Sequence, residues 1–216
     1  MGKKEKSMYK TIIQNTIFEL TEKKSKFIAN FMYIENKEDA ENKIKEYKKK
    51  YFDARHNCYA YRVLENETIY EKLSDDGEPS GTAGAPMINI LQKNNLCNVL
   101  IIVTRYFGGI LLGTGGLVRC YSGACLGAIE KCEMLEIELG IEMEIIIDYS
   151  EFQNIQYYFG KNDIRILKSK YEEDIECLIE MSILTKERFL LDVKNRNINI
   201  KKVKIGKTKY VKKYHK

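Results

Sequence analysis

Residues 103–119 read Val-Thr-Arg-Tyr-Phe-Gly-Gly-Ile-Leu-Leu-Gly-Thr-Gly-Gly-Leu-Val-Arg and continue the most hydrophobic strand-like segment of the chain, Val99 to Val103. Five glycines fall within the nine positions from Gly108 to Gly116, and a helix-like segment follows them. A strand, a glycine-rich turn and a helix start together present unpaired backbone N–H groups at a positive dipole end. The stretch therefore predicts a binding site for a negatively charged ligand.

The predicted site combines cationic and aromatic side chains with glycines whose amides can face a ligand: Arg105, Tyr106, Gly108, Gly109, Gly113, Gly115, Gly116 and Arg119. Aromatic rings beside arginine and free amides suit stacking on a base with a phosphate held nearby. A guanidinium at the end of a buried strand needs either an anionic ligand or an internal carboxylate, for which Asp76 and Glu78 are the candidates. The glycines could also serve only tight turns and close packing.

Two common nucleotide-binding motifs do not fit this chain. A G-x-G-x-x-G fingerprint beginning at Gly113 would require glycine where Val118 stands. A P-loop ending in Gly206-Lys207-Thr208 would require glycine at position 201, which is lysine. The spacing excludes both motifs, and we expect no bound cofactor.

A second turn-rich loop, residues 75–84, is expected to support the glycine-rich turn through Asp76, Gly77, Glu78 and Ser80. His56 is a further possible contact, either with a phosphate or simply at the edge of a strand. A Ser80–His56–Asp75 triad would suit a hydrolase, but Ser80 lacks the G-x-S-x-G context of a nucleophile elbow. The acidic residues lack the periodicity of a metal-binding loop, so we expect no metal and assign no catalytic residue.

The composition is that of a globular protein: 216 residues, 44% hydrophobic and 31% charged. No apolar run approaches the ~20 residues that span a bilayer, and the charged N-terminus lacks a signal-peptide core. The six cysteines form no C-x-x-C pair, so buried, inert thiols are expected. These features predict a cytoplasmic protein without a membrane partner, and they do not determine its oligomeric state.

The net charge of +5 comes from one end of the chain. The last sixteen residues, 201–216, hold eight lysines and no acidic residue, so the remainder is net acidic. A basic tail over 207–216 suggests contact with RNA or another polyanion. A solvated, partly frayed terminus is the alternative.

The hydrophobic pattern predicts an α+β chain with two domains. Over 1–135 we expect two strands within 10–34, a helix capped by Asn36, a hairpin of 57–64 and 67–73, a helix near 85–93, a strand over 98–104 and a helix over about 116–132. From 138 to 206 the order βαββαβ is typical of a ferredoxin-like domain. The basic tail follows this second domain.

Three segments resemble the signature of the IMPACT/YigZ family: residues 105–113 (Arg-Tyr-Phe-Gly-Gly-Ile-Leu-Leu-Gly), the 76–84 loop, and 24–29 (Lys-Ser-Lys-Phe-Ile-Ala). The resemblance implies an N-terminal domain similar to the second domain of a ribosomal small-subunit protein, a βαβ-rich fold found in RNA-handling proteins. It also implies a C-terminal domain that resembles domains of translation elongation factor G.

The family's eukaryotic members regulate translation initiation through protein contacts. The resemblance therefore implies a translation-associated protein that binds RNA, the ribosome or a protein partner in translation control. Because no catalytic constellation has the correct spacing and the chain has only two histidines, we expect this protein to be non-enzymatic. The alternative is a peptidase-like hydrolase of small molecules that uses the 75–84 loop beside the glycine-rich turn.

Overall fold

The computed structural model describes residues 9–65 and 68–213, and the chain divides into two compact units between Glu136 and Ile137. Helices and strands are mixed in both units, which confirms the predicted α+β class. Within the described ranges, no helix is both long and apolar enough to cross a membrane. Residue 66 of the predicted hairpin connection, residue 67 of the predicted second hairpin strand and the last three residues of the predicted tail lie outside these ranges.

The first unit contains one five-stranded sheet with the order β2-β3-β6-β4-β5, in which all neighbours are antiparallel. Its elements are β1 (Tyr9–Ile12), β2 (Thr16–Glu22), β3 (Ser25–Tyr33), α1 (Lys37–Lys50), β4 (His56–Glu65), β5 (Thr68–Ser74), α2 (Gly84–Lys93), β6 (Val99–Tyr106) and α3 (Gly113–Glu130).

Both faces of the central strands β3, β6 and β4 are buried, because their residues alternate between two helical layers. In β6, Ile101 and Val103 pack in the core formed with α2 and α3. Leu100 and Ile102 point the other way and pack with α1. The strand is therefore apolar at every position from Val99 to Val103, as expected for a strand covered on two sides.

Residues close in the sequence determine where α1 begins and how the chain turns before β3. The Asn36 side chain accepts a hydrogen bond from the Asp39 amide at 2.8 Å, so the predicted N-cap is confirmed. Lys23 and Lys24 form the tip of a two-residue hairpin turn, with φ of +45° and +65°. The segment 10–34 holds three strands rather than the predicted two, because Tyr9–Ile12 forms a separate strand.

The helix after the glycine-rich turn begins three residues earlier than predicted and ends at Glu130. Glycines disfavour a helix intrinsically, but packing of α3 on the sheet outweighs that preference. Consequently Gly113, Gly115 and Gly116 belong to the first turn of α3 and not to the preceding loop.

The second unit has the ferredoxin-like strand order β10-β7-β9-β8. Its elements are β7 (Met134–Ile147, whose first three residues precede the unit boundary), a 3₁₀ turn (Tyr149–Glu151), α4 (Phe152–Lys161), β8 (Arg165–Tyr171), β9 (Ile175–Ser182), α5 (Ile183–Lys194) and β10 (Lys202–Lys213). Phe159 of α4 and Phe189 of α5 pack on the core face of the sheet, which includes Met143 and Ile179. No helix among the described residues of this unit packs on the opposite face.

The predicted basic tail is wrong for residues 207–213, which continue the last strand to Lys213. Lys209 explains the difference: its Nζ lies 2.5 Å from Oε1 of Glu142 and 2.8 Å from Oε2 of Glu180. The acidic residues that compensate this lysine stand on β7 and β9, far away in the sequence. Part of the lysine-rich segment is therefore integrated into the sheet.

The start of α2 depends on a carboxylate from the preceding turn. Asp75 accepts hydrogen bonds from the amides of Gly81 at 2.8 Å, Ala83 at 2.9 Å and Gly84 at 2.8 Å. Partial burial alone would raise the pKa of Asp75, but these amide hydrogen bonds outweigh it and lower the pKa below its usual value. The ionised form of Asp75 therefore stabilises the fold.

We expect Asp75→Ala to lower the free energy of unfolding near neutral pH by about 2 kcal/mol, because three amides lose their acceptor. Because the pKa of Asp75 is lower in the folded than in the unfolded state, this contribution is fully present above the unfolded pKa and disappears as pH falls through the folded pKa. Urea unfolding at several pH values measures this contribution. The control is Glu46→Ala, which changes an exposed carboxylate on α1. A difference between wild type and Asp75→Ala that stays constant down to acidic pH would contradict this role.

Candidate functional site

Gly108 places the glycine-rich loop directly on the β2–β3 turn. A Cβ added to Gly108 would overlap the backbone of Lys24, so a larger residue cannot occupy this position without moving the turn. The Gly108 amide also donates a hydrogen bond to Oγ of Ser25 at 3.1 Å. The loop and the hairpin turn thus form one continuous surface.

The next four amides are available to a ligand. Within the described residues, the backbone N–H groups of Gly109, Ile110, Leu111 and Leu112 donate no hydrogen bond, and no side chain caps α3. Gly109 and Gly113 have φ of +83° and +69°, which L-residues rarely adopt. The glycines therefore support an open loop that leads into an uncapped helix N-terminus.

Four exposed cationic side chains surround this loop: Lys23, Lys24, Arg55 and Arg119. The Arg119 guanidinium reaches back over the first turn of α3, since a Cβ added to Gly115 would lie 3.9 Å from its Nη1. The Arg55 guanidinium carbon lies 5.5 Å from the centre of the Phe107 ring. We call residues 107–115 together with these four cations the glycine-loop surface.

The two aromatic residues of the predicted site differ in exposure. Tyr106 is half-buried, and its hydroxyl donates a hydrogen bond to Oδ1 of Asp53 at 2.9 Å. Phe107 is 36% exposed, and its ring lies 5.5 Å from the guanidinium carbons of both Arg55 and Arg105. Phe107 is thus the ring that a partner can reach.

Arg105 is not an exposed anion contact, and this part of the predicted site is wrong. Its side chain is buried, and its Nη1 lies 2.6 Å from Oε1 of Glu78, which is buried as well. The Tyr121 hydroxyl donates to the same Glu78 oxygen at 2.9 Å. Arg105 has the strand parity of Ile101 and Val103, so it points into the core side of the sheet.

The second candidate partner of Arg105, Asp76, makes other contacts. Its Oδ1 lies 2.5 Å from Nζ of Lys48, and its Oδ2 accepts from the Asn57 amide at 2.7 Å. The Asp76 carbonyl oxygen lies 2.8 Å from Nδ1 of His56. Of the two candidate carboxylates, Glu78 is therefore the one that pairs with Arg105, while Asp76 connects the loop to β4 and α1.

The hydrolase triad is not assembled. The Asp75 carboxylate binds backbone amides, and the His56 Nδ1 contacts the Asp76 carbonyl oxygen. Ser80 is exposed, and no hydrogen bond links it to His56 in the part of the chain that the structure describes. Residues 9–65 and 68–213 contain no group of three or more His, Cys, Asp or Glu that could hold a metal ion.

Three residues around the buried Arg105–Glu78 pair were assigned no role from the sequence: Ser25, Cys58 and Tyr121. The Cys58 thiol donates to the Asp75 carbonyl oxygen at 2.9 Å and lies 3.3 Å from the Tyr121 hydroxyl. Burial raises the pKa of Cys58 to about 12, so this thiol is not a nucleophile. Ser25 stands inside the 24–29 segment that resembles the family signature, whereas Tyr121 carries no signal of its own.

We expect Arg105→Met to lower the free energy of unfolding by about 3 kcal/mol, because it leaves the Glu78 carboxylate buried without its cation. The double variant Arg105→Met/Glu78→Leu removes that buried charge and should recover at least about 1 kcal/mol of the loss. Urea unfolding of both variants measures the difference. A double variant less stable than Arg105→Met would show that the ion pair is not what Arg105 contributes.

Comparison with known proteins places the chain among its relatives. A family model described as the Impact N-terminal domain matches residues 23–129. IMPACT family member YvyE of Bacillus subtilis (strain 168) is 36% identical over 168 residues, which cover 78% of this chain and 77% of that protein. IMPACT family member YigZ of Escherichia coli (strain K12) is 34% identical over 151 residues, which cover 69% and 74% of the two chains.

A solved crystal structure of a hypothetical protein superposes with a TM-score of 0.63 at 26% identity, covering 91% of this chain and 96% of that one. The similarity in sequence and in fold extends over both units and includes the glycine-rich loop. The chain belongs to the IMPACT family.

Proposed function

We propose that this chain is a non-enzymatic, translation-associated protein that binds RNA, including ribosomal RNA, through the glycine-loop surface. The observation that supports this most strongly is the set of free amides at residues 109–112, placed among four exposed cations. Amides at an uncapped helix N-terminus favour a phosphate. Lysine and arginine side chains around them add the charge that attracts a polyanion.

The hairpin turn adds to this argument. Two-residue turns in which both residues have positive φ favour Asn-Gly, because other side chains are strained there. This chain places Lys23 and Lys24 at both positions, with their backbone against Gly108. Two lysines in a conformation that disfavours them, beside free amides, are better explained by a ligand than by stability.

The Phe107 ring gives the surface a place for a base. It is partly exposed, and Arg55 lies beside it. Base stacking on an aromatic ring with phosphate contacts nearby is a common mode of single-strand RNA recognition. This arrangement supports contact with an unpaired RNA segment more than with the shape of a duplex.

A protein partner in translation control is the second candidate, and the loop tip favours it. Leu111 is 83% exposed and Ile110 is 44% exposed, although both stand beside the charged residues of the same surface. Exposed apolar side chains of this kind are typical of protein contacts. The family resemblance, with its regulators that act through protein contacts, points in the same direction.

We expect Arg55→Ala/Arg119→Ala to weaken binding of a labelled single-stranded RNA about tenfold. The slope of log affinity against log salt concentration should fall by the amount that corresponds to about one to two lost phosphate contacts. Fluorescence anisotropy at several salt concentrations measures both effects. The control Lys45→Ala/Lys49→Ala removes the same charge from the exposed side of α1 and should change affinity less than about twofold.

Equal weakening by the two double variants, or RNA binding that is insensitive to salt, would contradict the RNA proposal. Co-sedimentation with purified small ribosomal subunits distinguishes binding to a protein partner from binding to RNA. If Leu111→Ser abolishes association while Arg55→Ala/Arg119→Ala does not, the loop binds protein rather than RNA.

A further inference from the structure

The second unit has a groove on the sheet face that its helices leave uncovered. The core-facing residues of β7 and β9 pack against α4 and α5. The alternate residues of the same strands line a groove of about 480 Å³ that extends from β8 to β10. Ile146 of β7 and Leu178 of β9 lie in this lining and remain half-buried. We call these two side chains the apolar floor; no helix among the described residues of this unit covers them, and each stands opposite a glutamate on the neighbouring strand, Glu176 or Glu144.

Lysines border this floor on both sides. Lys168 and Lys170 stand on β8, and Lys202 and Lys204 stand on β10. Because β9 and β7 lie between these strands, the two lysine rows are about 14 Å apart. Among the described residues, only Lys204 of the four has a carboxylate within ion-pair distance, with Oε2 of Glu144 at 2.9 Å. Three cations are thus available at the borders of the groove.

The lining also distinguishes between anionic partners. Glu144 and Glu176 are part of it and stand on the central strands between the lysine rows, so the negative charges of a partner can approach along the borders but not across the centre, as a phosphate backbone lying across the sheet would. No aromatic side chain is among the lining residues, so a base has no ring to stack on. An apolar floor with separate cationic borders instead complements a partner that is apolar along its centre and acidic along both flanks.

We propose that this groove binds an acidic amphipathic helix of a partner protein. A helix has a diameter of 10–12 Å including its side chains, which fits between rows about 14 Å apart. Its apolar stripe would pack on Ile146 and Leu178, as a helix packs on the apolar face of a sheet. Glutamate or aspartate side chains on its two flanks would reach the lysines of β8 and β10. This proposal concerns the second unit and is independent of RNA binding by the first.

The test uses the full chain and a labelled synthetic peptide of about 18 residues, long enough for helix formation, with leucines on one face and glutamates on both flanks. Its controls are a peptide of scrambled order and a single-stranded RNA. We expect Lys168→Glu/Lys202→Glu, with one change in each lysine row, to weaken peptide binding about tenfold in fluorescence anisotropy. The matched variant Lys186→Glu/Lys194→Glu on α5 should weaken it less than about twofold.

Leu178→Ser tests the apolar floor and should weaken peptide binding about fivefold without a change in net charge. The proposal is overturned if the ordered peptide does not bind, if the scrambled peptide binds equally well, or if the α5 variant weakens binding as much as the groove variant. RNA binding that is tighter than peptide binding and is lost in Lys168→Glu/Lys202→Glu would assign the groove to RNA instead.

Discussion

The buried ion pair between Glu78 and Arg105 is the interaction on which the arrangement of the first unit depends. Its carboxylate joins the 75–84 loop to the end of β6 through Arg105 and to α3 through Tyr121. A buried charge pair needs good geometry and further polar contacts to stabilise a fold. Here the Tyr121 hydroxyl donates to the Glu78 carboxylate, while the Arg105 Nε has no hydrogen-bond partner among the described residues. The pair therefore holds three separate parts of the chain in one position beside the glycine-rich loop.

This internal pairing changes which residues can meet a ligand. Arg105 is the most conspicuous cation of the 103–119 segment, but its charge is neutralised inside the fold. The exposed positive charge comes from Lys23 and Lys24 on the hairpin turn, from Arg55 before β4 and from Arg119 in α3. The chain thus separates a buried arginine that organises the loop from surface cations that surround its free amides.

Much of this fold could be predicted because its signals are local. The Asn36 cap and the βαββαβ order of the second unit depend on neighbouring residues and on periodicity alone. The partner of Arg105 could be narrowed to two acids, but choosing Glu78 requires the path of the loop in three dimensions. Strand parity did contain a signal, since Arg105 alternates with core residues. The pairing of Lys209 with acids on two other strands gave no sequence signal, so residues 207–213 were predicted as a tail although they belong to the last strand.

We propose that the loop amides and the surface cations, and not Arg105, meet the negatively charged partner. An NMR titration of the ¹⁵N-labelled chain with single-stranded RNA follows backbone amides and arginine Nε–H groups in the same sample. We expect shifts for the amides from Gly109 to Gly115 and for the Arg119 side chain, with the Arg105 Nε–H unchanged. Shifts of the Arg105 Nε–H with unaffected loop amides would contradict it.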